Sequence, residues 1–115
     1  FCNFAMALSY KNNKLKKSLT TDIGIAKGYG TIAKKVKLRI TQLNNADNLE
    51  VISKLQVLRL HQHIGKGKGT WSIDIQENWR ILFEINQDPI PTLEDGGIDL
   101  KAITIISIES VEDPH

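Results

Sequence analysis

The side chains best suited to move protons and hold anionic charge are three histidines, at positions 61, 63 and 115, and the arginine at position 80. Imidazole has a reference pKa of about 6.5, so its acid and base forms coexist near neutral pH. Guanidinium is permanently charged and offers parallel N–H donors to phosphate oxygens. Together these groups fit cleavage of an RNA phosphodiester by its own 2′-hydroxyl. One imidazole removes the hydroxyl proton, another protonates the departing 5′-oxygen, and the arginine stabilises the crowded phosphorane between them. His61 and His63 stand just before the run Gly65-Lys66-Gly67-Lys68-Gly69, whose glycines would let phosphate approach main-chain N–H groups, although the spacing is not that of a Walker loop. The single cysteine, Cys2, and the lack of paired carboxylates beside the basic residues argue against a metal centre, and no cofactor is expected.

These groups need a scaffold, and the hydropathy pattern supplies one. Ala7 to Tyr10 reads as a short strand, after which Asn12 or Asn13 caps a helix carrying Leu15 and Leu19. Glycines 24, 28 and 30 are predicted to break the chain. From Thr31 to about Asn44, Ile32, Val36, Ile40 and Leu43 form an apolar stripe at helical spacing, with Lys34, Lys35, Lys37 and Arg39 on the remaining circumference. A shorter helical turn is expected from Asp47 to Lys54. Beyond it the period changes to two, predicting strands at Val57 to His61, Thr70 to Gln76, Trp79 to Ile85 and Ala102 to Val111. The segment 86–101, rich in Asp, Pro and Gly, reads as a surface loop. The class is α+β.

Register then assigns faces. A three-residue turn at Gln76-Glu77-Asn78 pairs Trp71 with Phe83, Ile73 with Ile81 and Ile75 with Trp79, giving one apolar face and setting Asp74 opposite Arg80. Asn78 suits the left-handed position such turns require. The same alternation puts Arg59, His61 and His63 on one side of their strand, so that they share a polar surface with Arg80.

A chain of 115 residues, 41% hydrophobic, has room for one core, so residues 1–115 are expected to form a single domain. The net charge of +2 hides a gradient. Residues 1–40 carry nine Lys or Arg against one acid, Asp22, whereas residues 86–115 carry one Lys against seven acids. The basic half is either a solvated helix surface or a surface that follows a polyphosphate backbone. No apolar run approaches membrane-spanning length, and a soluble cytoplasmic protein with no membrane partner is expected. Because Met6 is the first methionine and leads into the first strand, Phe1 to Ala5 read as lying upstream of the native start.

Several short motifs fall in a specific order: Leu60-His61, Gly69-Thr70-Trp71-Ser72-Ile73, Asn78-Trp79-Arg80-Ile81 with Phe83, and Glu112-Asp113-Pro114-His115. Trp71 lies ten positions after His61, and Arg80 nine positions after Trp71. In order and spacing the sequence resembles the HigB-type toxins of the RelE/ParE toxin-antitoxin superfamily, also described as plasmid maintenance system killer proteins. The resemblance implies a small, mostly antiparallel sheet of about four to five strands packed by two to three N-terminal helices. It also implies a ribosome-dependent mRNA endoribonuclease paired with a helix-turn-helix, HigA-like antitoxin. His61, Arg80 and His115 would be the catalytic residues, and His63, Lys66, Lys68 and Asn78 would contact RNA. Two positions differ from the family pattern: Ile64 stands where a lysine is usual, and Pro114 where a tyrosine is usual. Two alternatives stay open, a catalytically impaired protein of this fold that binds RNA, ribosomes or the antitoxin, and a ParE-like inhibitor of DNA gyrase.

Overall fold

The computed structural model describes residues 6–63, 70–76 and 78–112. β1 (Ala7–Tyr10) leads into α1 (Asn13–Thr20), whose start is closed by the Asn12 carboxamide oxygen accepting from the Leu15 N–H at 2.8 Å. α2 (Asp22–Tyr29) follows at once, with Thr21 Oγ1 accepting from the Gly24 N–H at 2.9 Å. Glycines 24 and 28 therefore do not break the chain as their spacing predicts; they lie inside α2, and only Gly30, with φ of 50°, ends it. Gly24 serves a different purpose. A Cβ there would collide with the main-chain oxygen of Lys17, so the close approach of α2 to α1 requires a residue without a side chain.

A 3₁₀ turn at Gly30–Ile32 enters α3 (Ala33–Asn45), and the predicted stripe of Ile32, Val36, Ile40 and Leu43 is buried. Arg39 departs from its expected place on the solvent side: it is 5% exposed. Three residues after Val36 and four before Leu43, it shares their face of the helix. α4 (Leu49–Ser53) buries Leu49 and Ile52, and the Asn48 side chain caps it by accepting from the Val51 N–H at 3.2 Å.

The strand predicted over Val57 to His61 is mostly absent. Gln56–Leu58 form a 3₁₀ turn closed by Leu58 N–H to Leu55 O and Arg59 N–H to Gln56 O, at 2.9 and 3.1 Å. This turn drops Leu58 into the core and leaves Arg59 in the left-handed region, so β2 is only His61–Gln62. β3 (Thr70–Gln76) and β4 (Trp79–Ile85) match their predicted bounds. β5 (Ile105–Glu112) starts later than expected. Leu100–Ala102 close another 3₁₀ turn, and the Gln87 carboxamide oxygen accepts from the N–H groups of Thr104 and Ile105 at 2.7 and 3.1 Å. The 86–101 segment folds on itself through a Thr92–Ile98 bridge, and Ile90, Ile98 and Leu100 pack against the core.

The five strands form one sheet in the order β1-β5-β4-β3-β2, parallel between β1 and β5 and antiparallel elsewhere. Alternation buries Trp71, Ile73, Ile75, Ile81 and Phe83, with Ile106 and Ile108, against Leu19, Val36, Leu43, Leu49 and Ile52 from the helices. The opposite face carries Ser72, Asp74, Arg80, Leu82 and Glu84. Among the described residues, no helix is long and apolar enough to cross a membrane.

Candidate active site

The open face of β2, β3 and β4 is organised by pairing. Trp71 opposes Phe83, Ile73 opposes Ile81 and Asp74 opposes Arg80, as the alternation predicts. One pair differs. Ile75 does not face Trp79; it is the extra residue of a bulge, and Gln76 takes that place. The reason lies beneath the sheet. Arg39 donates from Nε to the Asp74 carbonyl at 2.9 Å and from a terminal nitrogen to the Ile75 carbonyl at 3.2 Å, so a helix side chain bonds the strand where it bulges. Its other terminal nitrogen donates to Gln42 Oε1 at 3.0 Å. Burial lowers the Arg39 pKa from its usual value, and the Asp74 carboxylate opposes that shift.

Across the sheet, His61 pairs with Ser72 and Ser72 with Leu82, while Arg80 lies between Asp74 and Glu112 in the next row. The His63 N–H donates to the Thr70 carbonyl at 2.8 Å, extending the pairing one residue beyond β2. His63 Nε2 is 2.8 Å from the buried Ser72 Oγ, and its ring meets that of His61 edge-on, with centroids 5.1 Å apart. Both imidazoles thus stand on the Arg80 face even though the strand meant to place them is only two residues long.

A cavity of about 320 Å³ opens here, lined by Arg59, Leu60, His61, Ser72, Asp74 and Arg80. Arg59 Nε lies 3.7 Å from Asp74 Oδ2. Arg80 is half-buried, and among the described residues its guanidinium has no hydrogen-bond or ion-pair partner. A permanently charged group that lines a cavity and has no ion-pair partner among the described residues is suited to bind an anion. The cavity thus brings His61 and Arg80 together, with His63 alongside. Asn78 is exposed in the hairpin turn at φ of 70°, outside the cavity lining, which accounts for its residue type by backbone conformation. Lys66, Lys68 and His115 lie outside the described residues, as do Ile64 and Pro114. Arg39, Arg59, Ser72 and Asp74 belong to the site or its support without having been singled out. Asp74 and Arg59 were placed on this face by alternation, whereas nothing in the α3 pattern marks Arg39 as buried.

The chain matches no model of a known protein family and no curated protein sequence. Its backbone does match a chain in the crystal structure of the E. coli DinJ-YafQ toxin-antitoxin complex, with a TM-score of 0.53 over 94% of this chain and 91% of that one, at 17% identity. The fold is RelE-like. A second crystal structure of the E. coli DinJ-YafQ complex matches with a TM-score of 0.49 and 14% identity, over 94% of this chain and 92% of the other. In this RelE-like frame the N-terminal helices cover one side of the sheet and leave the other to the His61–Arg80 cavity.

Proposed function

We propose that this chain is the toxin of a type II toxin-antitoxin pair and that it cuts mRNA on the ribosome in the manner of HigB-type enzymes. The observation that carries this reading is the guanidinium of Arg80, without a hydrogen-bond or ion-pair partner among the described residues, in the same cavity as His61, with a second imidazole in edge contact. The likeness to a chain of a toxin-antitoxin complex supports the toxin part. Residues 1–115 act as one toxin domain in the cytoplasm, neutralised by a helix-turn-helix antitoxin, and no membrane takes part.

In this mechanism the RNA 2′-hydroxyl loses its proton to one imidazole and attacks the adjacent phosphorus. The P–O5′ bond breaks, the second imidazole protonates the 5′-oxygen, and a 2′,3′-cyclic phosphate remains. Arg80 stabilises the non-bridging oxygens as negative charge grows on them. His61 and His115 are the two proton carriers, while His63, Lys66, Lys68 and Asn78 contact the RNA. No cofactor is needed, since the nucleophile belongs to the substrate. The test is to incubate purified protein with ribosomes carrying a defined mRNA, with and without a chelator, and to map the ends. Cleavage within the bound mRNA in both samples, leaving cyclic phosphate ends, supports the reading; intact mRNA contradicts it.

One observation favours a second reading. Asp74 and Glu112 are the cross-strand partners of Arg80 on its two neighbouring strands, and acidic residues flanking an arginine weaken its attraction for phosphate. Under that reading the chain binds ribosomes or antitoxin without cutting RNA, and strong expression leaves growth normal while ribosome binding persists. The gyrase alternative has weaker support, because inhibiting supercoiling gives no role to the adjoining histidines.

A further inference from the structure

We infer that Arg59 is a second phosphate-binding residue of this site and that Asp74 is the positioning residue that holds it in place. The inference rests on the endoribonuclease reading above and adds a group that neither the sequence motifs nor the family likeness assigns. Arg59 has φ of 47° and ψ of 55°, a left-handed conformation that a residue with a side chain adopts at some cost. Burial of its own side chain does not compensate, since that side chain is 79% exposed. What the conformation does is geometric. The chain leaves the 3₁₀ turn after the buried Leu58, reverses at Arg59 and enters β2 at His61, so that the guanidinium stands at the wall of the cavity that His61 and Arg80 share.

Asp74 connects the two cations. It is the cross-strand partner of Arg80, and its Oδ2 lies 3.7 Å from Arg59 Nε. An ion pair of that length on a largely exposed arginine is weak and readily exchanged. The Asp74 carboxylate keeps Arg59 over the cavity while no RNA is bound. An incoming phosphodiester, with two non-bridging oxygens, then takes the guanidinium from Asp74 and is held between Arg59 and Arg80. The sequence also makes room for such a role. The lysine usual three residues after the first histidine is replaced by Ile64 in this sequence, whereas Arg59, two residues before His61, lines the same cavity as that histidine.

The test uses the full chain with ribosome-bound mRNA under single-turnover conditions, and the same mRNA with a 2′-deoxy nucleotide at the cleavage position to measure binding without reaction. Arg59→Ala is expected to lower the cleavage rate roughly 10- to 100-fold, as for loss of a charged hydrogen bond, with a smaller loss of affinity for the 2′-deoxy complex. Arg59→Lys recovers most of the rate, because the charge remains. Asp74→Asn slows cleavage in the wild-type background but not in Arg59→Ala, since it acts through Arg59. A wild-type rate for Arg59→Ala, with the wild type active, overturns the inference and leaves the enzyme reading intact. A loss of affinity with an unchanged rate at full occupancy overturns the placement of Arg59 at the phosphate being cleaved, because Arg59 would then bind RNA without favouring the transition state. An equal effect of Asp74→Asn in both backgrounds overturns the role given to Asp74. A wild type that never cleaves defeats the enzyme reading itself. The thermal unfolding midpoint of Arg59→Ala, expected to match the wild type, separates these outcomes from misfolding.

Discussion

Arg39 on α3 donates from Nε to the main-chain oxygen of Asp74 on β3 at 2.9 Å, linking the helix layer to the strand position that faces Arg80. A second bond to the Ile75 carbonyl makes the helix grip the bulged residue as well as the one before it. The candidate site is therefore held from behind by a residue that does not line it.

Replacing Arg39 by Leu should remove the side-chain donor from both carbonyls beneath the sheet. Loss of these bonds to a charged donor is expected to destabilise the fold by about 2 to 4 kcal/mol. Arg39→Lys should recover only part of this, because an ammonium lacks the planar fork that reaches two carbonyls at once. Urea denaturation gives the value directly, and an unchanged midpoint for Arg39→Leu would show that the bulge does not depend on the guanidinium.

The two glycines of α2 should respond differently to alanine. At Gly24 the new methyl meets the Lys17 carbonyl and Thr21 Oγ1, and forcing α1 and α2 apart should cost about 1 to 3 kcal/mol. At Gly28 the nearest atom is Ser18 Cβ at 3.8 Å, an ordinary contact, so better helix propensity should stabilise the protein by about 0.4 to 1 kcal/mol. Paired unfolding curves test this, and the same sign for both substitutions would contradict the packing described for Gly24.

Much of the sheet was legible in the sequence because apolar residues alternate through Trp71, Ile73, Ile81 and Phe83, and only one register keeps them on one face. That register placed Arg80 correctly. The bulge was not legible, because an extra residue in a strand has no side-chain signature and the group bonded to its carbonyls sits 35 residues away on α3. Gly24 misled for a related reason: a glycine shows in the sequence, but the neighbouring carbonyl that requires it does not. The strand drawn through Val57 placed His61 on the correct face for an incomplete reason. Leu58 and Leu60 alternate with Arg59 and His61 as a strand would, yet a 3₁₀ turn and a left-handed Arg59 produce the observed geometry.

Ser72→Ala should separate the two histidines. The hydroxyl is 2.8 Å from His63 Nε2 and buried, so its loss removes that hydrogen bond and should cost about 0.5 to 1.5 kcal/mol in stability. If His63 must stay fixed to contact RNA, affinity for ribosome-bound 2′-deoxy mRNA should fall several-fold while His61 keeps its place. Stability and affinity measured on the same preparation check this, and a loss of stability with unchanged affinity would remove His63 from the RNA surface.

In the proposed mechanism Arg80 stabilises charge on a phosphate undergoing cleavage. This role is tested most directly by the single-turnover rate of mRNA cleavage on the ribosome, measured for the wild type and for Arg80→Ala at equal occupancy. A fall of roughly 30- to 1000-fold is expected, corresponding to about 2 to 4 kcal/mol of lost transition-state stabilisation, in a protein that still folds and binds. A folded Arg80→Ala variant that cleaves at the wild-type rate would contradict that role.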